Sequence, residues 1–295
     1  MSTASLYATC VLIWGTTWFA ITAQIGVLAP EVGVALRFCL ASLAILAFCR
    51  WRGLPLRQPA RLHALFALQG LAGFCASYIG VYHAERYLVS GVVAVGYAAS
   101  PLVGLVMARM FLGTPMSRRV ALGGLVGVAG VALIFAREFG RLGTPREVAI
   151  GAALTAASVL LSSGSTIVAS RAHRLGASGW GPLGWAMGYG GLGAAAAAVV
   201  LGRPWGWSWS PAFLGSLAYL SLVGSVVSFG AFYTVVHRIG TAKAGYIGVL
   251  SPVVALAVSS VLEGFTWTGA TVAGIGLAIA GNVVAMWRPR SRAEG

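Results

Sequence analysis

GYAASPLVGL at residues 96–105 returns 151 positions later as IGVLSPVVAL at 247–256, with Ser100-Pro101 over Ser251-Pro252. The same shift lays Gly73 on Gly224, Ser77 on Ser228, Tyr82 on Tyr233, Gly123 on Gly274 and Gly130 on Gly281 without a gap. Gly15 meets Gly164 at a slightly different offset. Self-similarity at a fixed shift marks an internal repeat. Each copy holds five apolar stretches. Five is odd, so the second copy enters a membrane upside down relative to the first. Inverted repeats of this kind belong to alternating-access carriers, with the substrate near the midplane between the halves.

The apolar stretches are 4–25, 31–50, 62–84, 88–110, 119–137, 148–171, 180–201, 212–237, 242–262 and 267–287. Each has about the 20 residues that cross a bilayer as a helix. The expected fold is therefore an all-α membrane protein of ten transmembrane helices in two inverted five-helix repeats (5+5). The first repeat occupies 1–137 and the second 148–287, followed by a basic tail at 288–295. Composition agrees, since 58% of the 295 residues are hydrophobic and 9% are charged. A soluble domain carries about 25% charged residues, and so few charges cannot solvate a globule of this size. The start lacks a basic n-region and reads as the first span rather than a cleavable signal.

The net charge of +14 is almost all Arg, with Lys243 the one Lys, a composition suggestive of a GC-rich bacterial genome. The basic residues sit between apolar runs, as topology signals do. With a cytoplasmic N-terminus, fourteen of the twenty fall inside, among them Arg50, Arg52, Arg57, Arg61, Arg109, Arg118, Arg119, Arg171, Arg174, Arg238, Lys243, Arg288, Arg290 and Arg292. Arg86, Arg137, Arg141, Arg146 and Arg203 fall outside. Both termini are then cytoplasmic, and the membrane is the bacterial inner membrane. No soluble basic segment is present to bind phosphates, which argues against a nucleic-acid partner.

The six acids, Glu31, Glu85, Glu138, Glu147, Glu263 and Glu294, fall in loops, tails or helix ends. No carboxylate lies at mid-membrane, so the usual proton relay of a pump is missing. The same gap argues against an intramembrane acid/base enzyme. No phosphate-cradling loop, H-E-x-x-H or Cys/His cluster is present, so neither ATP use, a metal nor a cofactor is expected. Cys10, Cys39, Cys49 and Cys75 lie in or beside apolar runs and read as small packing residues.

Arg37 is the one ionisable residue well inside a span, about 10 Å from the start of the second helix at 1.5 Å per residue. A charge there costs about 2.5–3.5 kcal/mol on insertion scales. It reads either as the counter-charge for a substrate carboxylate or as a latch on exposed backbone carbonyls. Pro101 and Pro252 interrupt the fourth and ninth helices and free backbone carbonyls that Ser100 and Ser251 can partly satisfy. They read as a paired hinge or as structural kinks. Trp14 and Trp18 share a face of the first helix, and Tyr78 and Tyr82 a face of the third. Aromatic rings with polar tips suit a small amphipathic or cationic solute. Tyr78, Tyr82 and Tyr233 stand out because buried hydroxyls need partners. His83 adjoins them at a helix end. The helix-five and helix-ten glycines read as packing positions.

The chain resembles the drug/metabolite transporter superfamily, of the EamA-type ten-helix kind. The resemblance rests on Trp14-Gly15-Thr16-Thr17, on Pro30 followed by Arg37-Phe38, on Ser100-Pro101 with Leu112-Gly113, and on Ser251-Pro252 with Glu263. Thr114 stands where that family often has an acid. The resemblance implies a central cavity lined by helices one, three, four, six, eight and nine. It also implies export of amino acids, related metabolites or drugs. On that mapping the cavity residues are Trp14, Trp18, Tyr78, Tyr82, Tyr97, Ser100, Ser163, Tyr233, Tyr246 and Ser251.

Together these readings describe an exporter of small amphipathic metabolites, foremost aromatic or neutral amino acids. It would rock about Pro101 and Pro252 without ATP, as a facilitator or exchanger. The partners are the small-molecule substrate and the lipid bilayer, and the chain acts as a monomer or weak homodimer. A lipid or lipid-linked-sugar flippase and a small cationic drug carrier are the alternatives.

Overall fold

The computed structural model describes residues 1–113, 118–138, 144–245 and 247–286. Thr114, Arg141, Tyr246 and the tail 288–295 lie outside them, so the missing-acid position, one expected cavity residue and the basic tail are not described. Among the described residues the regular structure is helical, one isolated bridge between Ile25 and Leu28 aside.

Helix starts are set by prolines and small polar caps. The Ser2 hydroxyl accepts the Ser5 N–H at the head of α1 (Thr3–Thr22). Pro30 opens α2 (Pro30–Trp51), with Glu31 in its first turn and Arg50 in its last, each at the favourable end of the helix dipole. Next come α3 (Ala60–Ala84), α4 (Ser90–Leu112) and α5 (Arg118–Glu138). Gly113 closes α4 at φ 67°, a left-handed cap that costs glycine nothing. A capping box of Thr144 and Glu147 opens α6 (Pro145–Arg174), and α7 is Trp180–Val200. Ser210 caps α8, which runs as Pro211–Ala218, Tyr219–Val227 and Ser228–Ala244. Then come α9 (Ile247–Leu262) and α10 (Gly269–Met286).

Eight of these helices are long and apolar enough to cross a membrane: α1 to α7, and α8 over Pro211–Val236. α9 and α10 are shorter apolar helices. The junction before α9 differs from expectation. Helix α8 continues to Ala244, so Arg238 stands on a helix and not in a loop. The 238–244 stretch carries two alanines, the strongest helix formers.

Two segments are π-helical, Gly70–Ala76 inside α3 and Tyr219–Val227 inside α8. In the second, the Ser225 hydroxyl donates to the Leu220 carbonyl, five residues back. In the first, the backbone of α7 comes close enough that a Cβ on Gly70 would stand 2.2 Å from the Ala186 oxygen. Short π segments of this kind concentrate at functional sites.

The prolines part company. Pro101 sits in the first turn of a restarted helix, after a break at Ala98 and Ala99. Asn282 of α10 fills the gap by donating from Nδ2 to the Ala98 carbonyl at 3.1 Å. Ser100 does not serve there, because its hydroxyl is buried without a partner. Pro252 instead lies within a continuous α9, and Ser251 donates to the Ile247 carbonyl at 2.8 Å. One proline follows an open break and the other lies in an unbroken helix, so the symmetry of the two is only approximate.

The main helix pairs are α5 on α10, α2 on α7, α1 and the first half of α4 on α9, and α3 on α6 and α7. Helix α2 is the central one, with Val32, Val34, Phe38, Ala41, Ile45 and Cys49 fully buried. Leu43, Met110, Phe111, Leu125, Val199 and Val261 stand largely exposed, an apolar exterior suited to lipid and not to water.

Candidate substrate site

Arg37 enters the core from the first third of α2 and is 2% exposed. Its guanidinium lies 4.7 Å from the centroid of the Tyr78 ring and 5.1 Å from that of Phe38. Attraction to a ring face offsets part of a cation's desolvation, about 2 kcal/mol when water is excluded. Nε and Nη1 are buried with no hydrogen-bond partner. Glycine at 224, in the π segment of α8, lets that helix pack closely here; a Cβ there would stand 2.7 Å from Thr17 Cγ2 and 3.8 Å from Arg37 Nη2.

Around Arg37 lie aromatic and amide groups. Tyr82 is 1% exposed, and its hydroxyl donates to Gln24 Oε1 at 3.2 Å. The Gln24 amide donates on to Ser216 on α8 at 3.2 Å. Phe38 meets Tyr78 edge-on at 4.7 Å and Phe74 at 5.1 Å. The hydroxyls of Tyr97 and Ser77 are 2.8 Å apart, and Ser77 donates to the Ser158 carbonyl of α6 at 2.9 Å. Trp18 packs on the Tyr97 ring at 5.0 Å. Arg37 and Tyr82 are buried, and the half-buried Tyr78, Tyr97 and Trp18 pack around the same core.

The other expected residues are placed apart from it. Trp14 donates to the Ser228 hydroxyl at 2.9 Å and packs against Phe229 and Phe232, fastening α1 to α8. Ser163 donates to the Ser100 carbonyl at 3.4 Å, joining α6 to the restarted half of α4. Tyr233 is 39% exposed, so it does not match the burial of Tyr82, its partner in the repeat. Ser251 is spent on its own helix. Beside it, Val95, Ala98, Val249, Pro252, Ile275 and Ala278 line a small apolar crevice between α4, α9 and α10, with room for about one water at most.

The helix-end carboxylates are more buried than their positions in the sequence suggest. Glu31, Glu85 and Glu263 do stand at helix ends, as expected, yet Glu31 is 2% and Glu85 is 8% exposed. All three gather at the end of the bundle where α2 and α4 begin and α3 and α9 finish. Glu31 Oε1 meets His83 Nε2 at 3.1 Å and Arg203 Nε at 3.4 Å. Glu263 caps α4, accepting the Ser90 N–H at 3.1 Å and the hydroxyls of Ser90 and Ser259. Glu263→Ala would leave those donors short and should destabilise the fold by about 1.5–3 kcal/mol, the range for hydrogen bonds to a charged group. A melting comparison with Glu263→Gln, which keeps an acceptor, checks this.

Glu85 follows the last residue of α3, and neither of its oxygens has a hydrogen-bond partner. Burial, reinforced by nearby Glu263, holds its carboxyl well above the ordinary carboxylate range, while Arg37 acts against that rise. Glu85's neighbour Arg86 in the same link is exposed, so no local sequence signal separates the two.

A profile of the EamA-like transporter family matches residues 1–136 and 149–287. A protein of Escherichia coli K12 named "Uncharacterized inner membrane transporter YedA" is 30% identical over 266 residues, covering 86% of this chain and 81% of that one. An "Uncharacterized transporter" of Archaeoglobus fulgidus is 24% identical over 290 residues, covering 93% and 95%. A solved crystal structure superposes with a TM-score of 0.68 at 21% identity over 96% of each chain, a likeness of fold.

Proposed function

We propose that this chain, which belongs to the EamA-like transporter family, exports small amphipathic amino acids, aromatic and neutral ones foremost, across the bacterial inner membrane. The observation that carries the substrate class is Arg37. It is a buried guanidinium with two uncommitted nitrogens, set against the Tyr78 ring. A planar fork of donors matches a carboxylate, and the surrounding rings of Phe38, Tyr78 and Phe74 suit an apolar side chain. The latch reading has less support, because no hydrogen bond from Arg37 to a backbone carbonyl is present among the described residues.

The transport mode is alternating access by two inverted five-helix repeats with both termini cytoplasmic. Two observations favour it. The helix contacts keep their pattern when every helix is exchanged for the one five places on: α1 with α9 becomes α6 with α4, α3 with α7 becomes α8 with α2, and α3 with α6 becomes α8 with α1. The π segments also fall at equivalent places in α3 and α8. Tryptophans at 205, 207 and 209 and the Arg placement set the ends. On this topology the cluster of Glu31, Glu85 and Glu263 closes the outer end.

The test is efflux from proteoliposomes loaded with labelled phenylalanine, leucine, a sugar and a quaternary ammonium dye. Saturable efflux of the amino acids, inhibited by unlabelled amino acids and not by lysophospholipids, is expected. Efflux of the dye alone, or inhibition by the lipids alone, would overturn the substrate class.

A further inference from the structure

Val89, the N-cap residue of α4, has no side-chain oxygen, so the local sequence leaves the first N–H groups of that helix uncapped. The missing acceptors come from the other repeat. Glu263 Oε1 accepts the Ser90 N–H at 3.1 Å, and the Ser259 hydroxyl accepts the Gly91 N–H at 2.9 Å. The hydroxyls of Ser90 and Ser259 lie 3.2 Å apart, and the two residues are 1% and 0% exposed. Glycine at 91 lets the helices meet, since a Cβ there would stand 3.0 Å from Leu256 Cα.

The other end of this helix pair is built differently. Helix α9 packs on the first half of α4 and, among the described residues, is not packed on Ser100–Leu112. From its middle onward α4 leans on α6, where Ser163 donates to the Ser100 carbonyl, while α9 leans on α1, with Gly15 against Val254. Val92 and Leu256 share the main core at the joined end. Toward the far end, Cys10, Ala231, Val235, Ala244 and Ile247 form a separate apolar cluster of α1, α8 and α9. The two helices thus make a V, joined where α4 begins and α9 ends.

The repeat register explains the difference. The shift of 151 lays Gly113 on Gly264, and both stand just past a helix end with positive φ, 67° and 70°. Leu112 therefore matches Glu263, and Ala108 matches Ser259, so neither mate carries an acceptor. The mates of Ser90 and Gly91 are Thr241 and Ala242, which lie within α8 and not at a helix start. The first repeat has neither side of the joint.

We propose that Glu263 and Ser259 form a one-sided clasp that holds the outer end of the empty carrier shut, so that the unclasped inner end is the one open at rest. The two are positioning residues. They set which way the substrate site faces and favour capture from the cytoplasm, the direction an exporter needs. This rests on the alternating-access and topology readings above. Opening is reversible, because water can take over the two N–H groups when α9 withdraws. A substrate parts the clasp only by binding the outward-facing form more tightly than the inward-facing one.

The experiment uses the full chain in liposomes, with Cys10, Cys39, Cys49 and Cys75 replaced by alanine. Spin labels at Arg86 and Trp267 report the outer end, and labels at Met110 and Leu250 the inner end; all four positions are exposed. Without substrate, wild type should show a short outer and a long inner distance. Glu263→Ala and Ser259→Ala should each raise the outward-open population about tenfold, with the outer distance lengthening as the inner one shortens. Glu263→Gln, which keeps an acceptor, should shift it less. Gly91→Val, which keeps both N–H groups but crowds Leu256, should open the same end. A merely structural cap predicts lower melting with both distances unchanged. That result in the Glu263→Ala/Ser259→Ala double variant overturns the clasp, as does a wild type that rests with its outer labels apart. Alternating access still stands if the solute selected by the efflux assay, phenylalanine on the reading above, moves the labels. Labels that move in no variant and with no carried solute overturn both.

Discussion

Gly281→Val should remove most of the folded protein from a detergent extract and lower the melting temperature of what remains by many degrees. A Cβ at position 281 would stand 2.3 Å from the Gly127 nitrogen and 2.4 Å from the Gly123 oxygen. Both are backbone atoms, so no side chain can swing away and the helices themselves must part. Gly130 faces the same problem from the other side, 2.4 Å from the Gly274 oxygen. In lipid there is no hydrophobic force to press helices together, and close backbone packing does that work. Moving α10 off α5 also pulls Asn282 from the Ala98 carbonyl at the α4 break. Overpacking costs about 1–3 kcal/mol, and a stranded buried carbonyl adds about 1–3 kcal/mol. Gly281→Ala should lie between wild type and valine. Gly276→Ala, on the same helix with nothing near the added carbon, should be neutral or slightly stabilising. Equal melting of Gly281→Val and wild type would mean that α5 and α10 do not touch through this face.

The legible parts of this molecule are those that one-dimensional patterns encode. Apolar runs of span length placed α1 to α7 within a few residues, because hydrocarbon thickness dictates that length. Gly123, Gly127, Gly130, Gly274 and Gly281 were readable as packing positions, and the α5–α10 contact uses Gly127, Gly130, Gly274 and Gly281. Arg37 was legible because a lone charge in an apolar run has few reasons to exist. Other features depend on the third dimension. An acid at a helix end is solvated on most helices, and nothing in the local sequence says that Glu85 is roofed over by neighbouring elements. The π segments leave no periodic trace in the sequence, and one of them packs α7 against Gly70. The two Ser-Pro pairs look alike in sequence, yet Pro101 follows a broken turn caught by Asn282 while Pro252 lies inside a continuous helix. Tyr82 and Tyr233 likewise occupy matched positions, and the one has Gln24 to meet its hydroxyl while the other lies at an exposed face.

Arg37→Met should cut amino-acid efflux about 100-fold or more while leaving the protein as stable as wild type, or more so. The argument is one of separated costs. A buried cation with unmet donors is a burden on the fold, and replacing such a charge by an apolar side chain of similar length is often neutral or stabilising by about 1–4 kcal/mol. Methionine fills the same slot between Phe38 and Tyr78 and makes favourable sulfur contacts with rings. Binding takes the whole loss. A charge-assisted bidentate contact in a dry site is worth about 1.5–3 kcal/mol, and its removal leaves the substrate carboxylate buried without a partner, which costs more. Arg37→Lys keeps a point charge but not the fork, so it should retain part of the efflux with a raised KM. The two readouts separate the two roles of a buried arginine. A receptor predicts lost transport with intact melting. A structural latch predicts that melting falls first, in Arg37→Met and less in Arg37→Lys, with transport per folded molecule preserved. An Arg37→Met protein that melts and transports like wild type would refute both, and with them the site built around Tyr78 and Tyr82.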